Sequence, residues 1–136
     1  MNKQLVLRQI EVDLEHNHAL QQGCSALVDF ISRHRPEELL QITFGLIGYA
    51  AKVKMEEAIP IAHYFLGPSN HLLDKRFLFS YSDEDYEIEP DVLAEARRSM
   101  IFYHPDTGEE VWNYEEYIFL YFVLSDAGVR LAGECL

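Results

Sequence analysis

The residues whose types could do chemistry fall in three places. Glu15-His16-Asn17-His18 is the densest group of potential metal ligands. Two imidazoles two positions apart share one face of a strand, but stand about 200° apart on a helix. The His pair at i and i+4 with an intervening Glu, which marks a helical zinc site, does not occur. The second place is His104, followed by Pro105 and Asp106 and close to Glu109 and Glu110. Carboxylates beside an imidazole favour its charged form, but acid–base work would also need a pocket and a second positioned group. The third is Cys24 beside Ser25, a thiol with no His or Asp marked as its partner. His63, inside Pro60-Ile61-Ala62-His63-Tyr64-Phe65, reads as a histidine at the edge of the core. Phosphate loops, dinucleotide fingerprints, nucleophile elbows and H-E-x-x-H are all missing, and Gly45-Leu46-Ile47-Gly48 has the wrong spacing for any of them. An enzyme or metal-dependent protein using His16 and His18, or His104, is therefore the second expectation, and no cofactor is expected.

The elements that must position these groups are organised around residues 39–55, LLQITFGLIGYAAKVKM, the longest apolar run of the first half. Pro36 suits a first helical turn. Glu37 and Glu38 follow it, and Lys52 and Lys54 sit at the other end, as the helix dipole favours. The pattern predicts one core helix over 36–55. Its apolar residues fall on all sides, which marks a buried helix, and it is too short and polar to span a membrane. Before it, residues 3–20 read two ways: Ile10 to Glu15 alternate as a half-buried strand does, whereas Val6, Leu7, Ile10 and Leu14 form a helical stripe, and the residue propensities favour the helix. Gly23 reads as a break, with Ser25 capping a second helix through Arg33. After it, Pro60 interrupts the pattern, and a short helix ends at Gly67-Pro68.

Past Ser69 the texture changes. Residues 77–81, FLFSY, read as a strand and 83–89 as an acidic loop. Pro90 and Asp91 open a helix closed by Arg97 and Arg98. His104-Pro105-Asp106-Thr107-Gly108 reads as the turn of a hairpin. Asn113-Tyr114-Glu115-Glu116 resembles a capping box. Residues 117–124 suit a buried strand or a buried helix equally, and Ser125 caps a last helix over 126–134. The fold expected is mainly α (α+β): a compact helical core in a single domain, 1–136, with a small β-hairpin or strand element in the C-terminal half. A chain of 136 residues is long enough for a core without staples. Two distant cysteines, Cys24 and Cys135, suggest free thiols in a reducing compartment. With no export signal or membrane segment read, a cytoplasmic location is expected.

Charge is more informative. The chain has 11 basic and 23 acidic residues, net −12. Residues 1–68 hold 6 bases and 8 acids, whereas residues 69–136 hold 5 and 15. Such a field repels nucleic acid and anionic membrane and attracts basic partners.

One fragment carries a resemblance. Residues 121–133, YFVLSDAGVRLAG, look like the strand-to-helix exit of winged-helix proteins, where a wing strand ends in Leu-Ser/Thr-x-x-Gly before a final helix. The resemblance covers about a dozen residues, and it implies a regulator. A winged helix that meets phosphates needs a basic recognition helix. The acidic neighbourhood suits protein binding better.

The last feature is aromatic. Twelve of the 17 Phe, Trp and Tyr residues lie between Phe77 and Phe122, interleaved with acids. Aromatic anchors with a charged rim are the anatomy of a protein interface. The first expectation is thus a small, non-catalytic intracellular interaction module or inhibitor. It would meet a basic protein partner through Tyr81, Asp83, Glu84, Asp85, Tyr86, Glu87, Glu89, Tyr103, Glu109 and Glu110. Nucleic acid and membrane are not expected as partners, and a homodimer remains open.

Overall fold

The first helix, α1 (Lys3–Asp13), starts where Asn2 can cap it: the Asn2 side chain accepts from the Gln4 amide. A computed structural model describes residues 2–136 of the chain. Two compact units emerge, Met1–Asp74 with Phe122–Leu136, and Lys75–Tyr121. Among the described residues there are six α-helices and one three-stranded sheet, an α+β fold with its sheet in the C-terminal half.

In the larger unit, α2 (His18–Ser32) packs on α1 and on α3 (Phe44–Ala51), which packs on α4 (Met55–Leu66). Ile10, Val28, Ile31, Ile47, Ile61 and Phe65 are sealed in its core. Gly23 lies inside α2 and does not break it: a Cβ there would stand 2.8 Å from Ile61 Cδ1. The residue is small because α2 and α4 approach closely at that point. Asn17, not Ser25, caps α2, accepting from the Leu20 amide.

The single helix expected over 36–55 is replaced by three pieces. Pro36–Glu38 is one 3-10 turn. Ile42 is extended and exchanges both backbone hydrogen bonds with Phe122, at 2.8 and 2.7 Å. Thr43 then caps α3 by accepting from the Leu46 amide at 3.1 Å. A β-branched pair, Ile42-Thr43, gains a strand partner and a cap here, which outweighs the helical preference of its neighbours. Lys52 ends α3 in the left-handed region, φ 61°. Ile47 is buried, but Leu46 is only half-buried. Pro60 sits inside α4 on its exposed side, so the helix continues past it.

The exit from β3 (Ile118–Leu124) into α6 (Asp126–Leu131) is built by Ser125 and Gly128. Ser125 Oγ accepts from the Gly128 amide and donates to the His71 carbonyl at 2.7 Å. A Cβ on residue 128 would stand 2.4 Å from the Leu72 carbonyl oxygen, so only glycine fits. The Leu-Ser-x-x-Gly string therefore has a local physical cause. Residues 117–124, which suited helix or strand, form β3 apart from Tyr117.

The smaller unit holds β2 (Glu84–Ile88), α5 (Pro90–Ser99) and most of β1 (Leu73–Tyr81). The sheet order is β2-β1-β3. The acidic stretch expected as a loop is strand β2, paired antiparallel with β1 from Phe77↔Ile88 to Tyr81↔Glu84. Ser82 and Asp83 alone make the turn, with φ 51° and 65°, the positive values a two-residue type I′ hairpin requires. Phe79, Ile88, Leu93, Ala96, Phe102 and Val111 form this unit's own core. The capping box at Asn113 does not form: Asn113 is left-handed, φ 55°, with no side-chain cap, and it leads into a 3-10 turn, Tyr114–Tyr117.

Candidate functional site

The two large apolar side chains with the highest exposure among the described residues, Met100 and Trp112, belong to the smaller unit. α5 buries Leu93 and Ala96 and stops at Met100, which takes a left-handed conformation, φ 67°, to close the helix. The chain then runs extended. Phe102 points inward and Ile101 and Tyr103 point outward, as side chains on an extended segment must alternate. Tyr103 bridges Glu110, and the Val111 amide donates to the Phe102 carbonyl at 2.9 Å. The hairpin read from the sequence thus exists in minimal form, turning at 104–108. Val111 points in and Trp112 points out.

These turns leave Met100 84% exposed, Trp112 82% and Tyr103 60%. Met100, Ile101, Val111, Trp112 and Tyr114 line a groove of about 740 Å³, with Glu110 and Glu116 on it. Tyr114, one of the lining residues, stacks on buried Phe102 with centroids 5.2 Å apart. Two other lining residues form a fork: Arg97 Nε and Nη2 donate to the two oxygens of Glu115 at 2.8 and 3.2 Å. That hydrogen bonding raises the Arg97 pKa above its ordinary value. Arg97 is therefore already matched. Among the described residues no cation lies within ion-pairing distance of Glu109, Glu110 or Glu116. The smaller unit as a whole has 4 basic and 12 acidic residues, net −8. The lining holds no His, Cys or Ser. Its chemistry is that of a surface that can hold a cation next to an apolar side chain.

The residues expected to form one acidic–aromatic face do not all lie together. On β1 and β2, Tyr81, Glu84 and Tyr86 share one side of the sheet with Phe79, and Asp85 and Glu87 point to the other. Tyr81 and Tyr86 are half-buried. Tyr81 stacks on Phe79 at 5.3 Å, and Tyr86 meets His104 edge-on at 5.0 Å. The Tyr86 hydroxyl donates to the Glu84 carboxylate, which pushes the phenol up to about 12. Asp83 sits in the turn and Glu89 stands just before α5; both are exposed. Tyr103, Glu109 and Glu110 belong to the 101–112 hairpin and are exposed. Sequence reasoning missed Met100, Ile101 and Trp112. The signal was present in Trp112, the chain's sole tryptophan, set between acids and a turn.

His104 is used structurally. Its Nδ1 accepts from the Asp106 and Thr107 amides at 3.1 and 3.2 Å, and three aromatic rings flank it. The proton of the neutral ring is thus on Nε2. His16 pairs with Glu15 at 3.1 Å, and His18 is the first residue of α2; both are exposed. Among the described residues no three His, Cys, Asp or Glu are placed to hold a metal ion. Cys24 is fully buried, and burial pushes its thiol up to about 12, which makes it a poor nucleophile. No described helix is long and apolar enough to cross a membrane.

Compared with protein-family models, with curated proteins and with solved structures, the chain matches none.

Proposed function

We propose that this chain is a non-catalytic interaction module that takes a basic segment of a partner protein on the groove of its smaller unit. The observation that carries the reading is Trp112, 82% exposed beside Met100 on a surface edged by unpaired Glu110 and Glu116. A Lys or Arg side chain over an indole gains about 0.5–2 kcal/mol. The carboxylates speed its arrival, and they do so less as salt is added. Met100, Ile101 and Val111 suit an aliphatic neighbour in the same segment. Of the residues read from the sequence, Tyr103, Glu109 and Glu110 stand next to this groove. Tyr81 and Tyr86 serve the core edge.

The test uses Trp112 emission and a twelve-residue peptide of Lys and Leu. Binding should shift the emission. Trp112→Ala, read by calorimetry, and Glu110→Gln with Glu116→Gln should each weaken binding at least about tenfold. Asp83→Asn with Glu84→Gln removes the same charge from the hairpin tip and should leave affinity within about twofold. Equal losses from the two charge variants would mean unspecific attraction and would sink the proposal.

A second reading, a winged-helix-like regulator, is supported by the order of elements from α2 to β3. Apart from β2 and α5, which come between the last two strands, that order is helix α2, the Ile42 strand, helices α3 and α4, strand β1 and the return strand β3, with Ile42 paired to β3. That is winged-helix order, in keeping with the 121–133 fragment. The helix in the recognition position is α4. Its exposed residues include Glu56, Glu57, Ile59 and His63 but no Lys or Arg. Such a helix suits a protein surface and repels phosphates. Duplex DNA at low salt should not bind; micromolar binding would revive a nucleic-acid role.

A further inference from the structure

A second groove lies wholly in the larger unit, where α2 and α3 end, and it has the opposite electrostatic character. Asp29, Phe30, Arg33, His34, Tyr49 and Lys52 line it, and its volume is about 780 Å³. Its walls are aromatic. Phe30 and His34 stack with centroids 4.0 Å apart, and Tyr49 meets Phe30 edge-on at 6.4 Å. The His34 ring is fixed by a 2.6 Å hydrogen bond from Nδ1 to the Phe30 carbonyl. Tyr49 is 77% exposed, so most of its ring is bare.

The charges can be weighed. Asp29 receives Lys3 Nζ at 2.7 Å and Arg33 Nε at 2.9 Å. Of the residues that line the groove, Arg33 and Lys52 are basic and Asp29 is acidic, so the lining carries one net positive charge in a chain whose net charge is −12. Arg33 engages Asp29 through Nε, which leaves its terminal nitrogens available. Among the described residues no carboxylate lies within ion-pairing distance of Lys52.

We infer that this groove binds a planar aromatic monoanion, its ring against Tyr49 and its carboxylate between Lys52 and the terminal nitrogens of Arg33. The volume lies within the range of small-molecule sites, about 300–1,000 Å³. The ring is needed because an exposed ion pair alone is worth little. The charge is needed because the groove's cations would otherwise lose solvent without compensation.

The probe is 2-naphthoate, titrated into the full chain and followed by amide NMR. Acetate supplies the charge without the ring, and 2-naphthylmethanol the ring without the charge. Naphthoate should saturate with a Kd below about 1 mM and shift amides at 30–34 and 48–52. Both controls should bind at least about tenfold more weakly, a difference of about 1.4 kcal/mol. Tyr49→Ala, at a site too exposed to threaten folding, should weaken naphthoate at least about fivefold. Lys52→Asn, whose side chain tolerates the left-handed backbone, should do the same. The inference is overturned if naphthylmethanol binds as tightly as naphthoate, if Lys52→Asn changes nothing, if the shifts fall elsewhere, or if binding does not saturate by about 10 mM.

Discussion

Phe79→Ala is the sharpest probe of the smaller unit's independence. Phe79 is fully buried in the middle of β1. Its ring meets Phe102 at 4.8 Å, Tyr81 at 5.3 Å, His104 at 5.7 Å, Tyr86 at 6.2 Å and Tyr117 at 6.3 Å. Truncating a buried Phe costs about 3–5 kcal/mol, and the lost aromatic pairs put this site at the upper end. The unit from Lys75 to Tyr121 has 47 residues. At about 0.05–0.15 kcal/mol per residue its whole stability is roughly 2–7 kcal/mol. One truncation therefore removes most of it. Hydrogen–deuterium exchange at neutral pH should show β2 and α5 peptides losing protection, while α1, α2 and α4 keep theirs. Trp112 emission is a poor reporter, since that ring is already in water. Phe79→Leu, which keeps most of the volume, should cost less than about 1.5 kcal/mol and restore protection. If α5 stays protected in Phe79→Ala, or if α1–α4 lose protection equally, the smaller unit does not rest on a core of its own.

Two further outcomes are expected. Ile47→Ala, at a fully buried site, should cost about 2–5 kcal/mol in a denaturant melt; half-buried Leu46→Ala should cost clearly less, and the reverse order would contradict the geometry of α3. His71 donates to Asp74 at 2.6 Å and to the Leu66 carbonyl at 3.0 Å, and the Asp74 bond raises its pKa above 6.5. Because the folded pKa is raised, the stability it confers is full below pH 6.5 and is lost as pH rises through the folded value. The effect is small, since the two side chains are 43% and 38% exposed. His71→Gln should flatten the pH dependence of the denaturant midpoint just above pH 6.5; an unchanged slope would refute the assignment.

Much of the fold was legible where one signal dominated. The α1 stripe, the Pro90-to-Arg98 helix, the 77–81 strand and the Ser125 cap are all local. What failed was decided by distant partners or by turn residues without the usual glycine. Ile42 becomes a strand because Phe122, eighty residues on, completes its hydrogen bonds. Gly23 marks not a break but a close approach of two helices, where Ile61 leaves no room for a larger side chain. The acidic stretch 84–88 pairs because Ser82 and Asp83 accept positive φ, at positions where glycine is the usual marker. For the candidate site, charge and aromatic content singled out the half of the chain in which the Trp112 groove lies. They could not tell a tyrosine folded against Phe79 from a tryptophan left in water, since that depends on which way the 101–112 hairpin faces.

The edge strand β2 also bears on how the protein behaves in bulk. A strand at the border of a sheet offers unpaired amides and carbonyls to any other strand, and fibrillar aggregates begin that way. β2 is such a border, and Glu84, Asp85 and Glu87 are all exposed along it. An in-register copy would lie about 4.8 Å away. Each carboxylate would then face its twin, at a cost of about 0.9 kcal/mol per pair even in bulk water. The edge is closed to its own kind while remaining open to a basic strand. The protection against self-templating therefore rests on these three side chains.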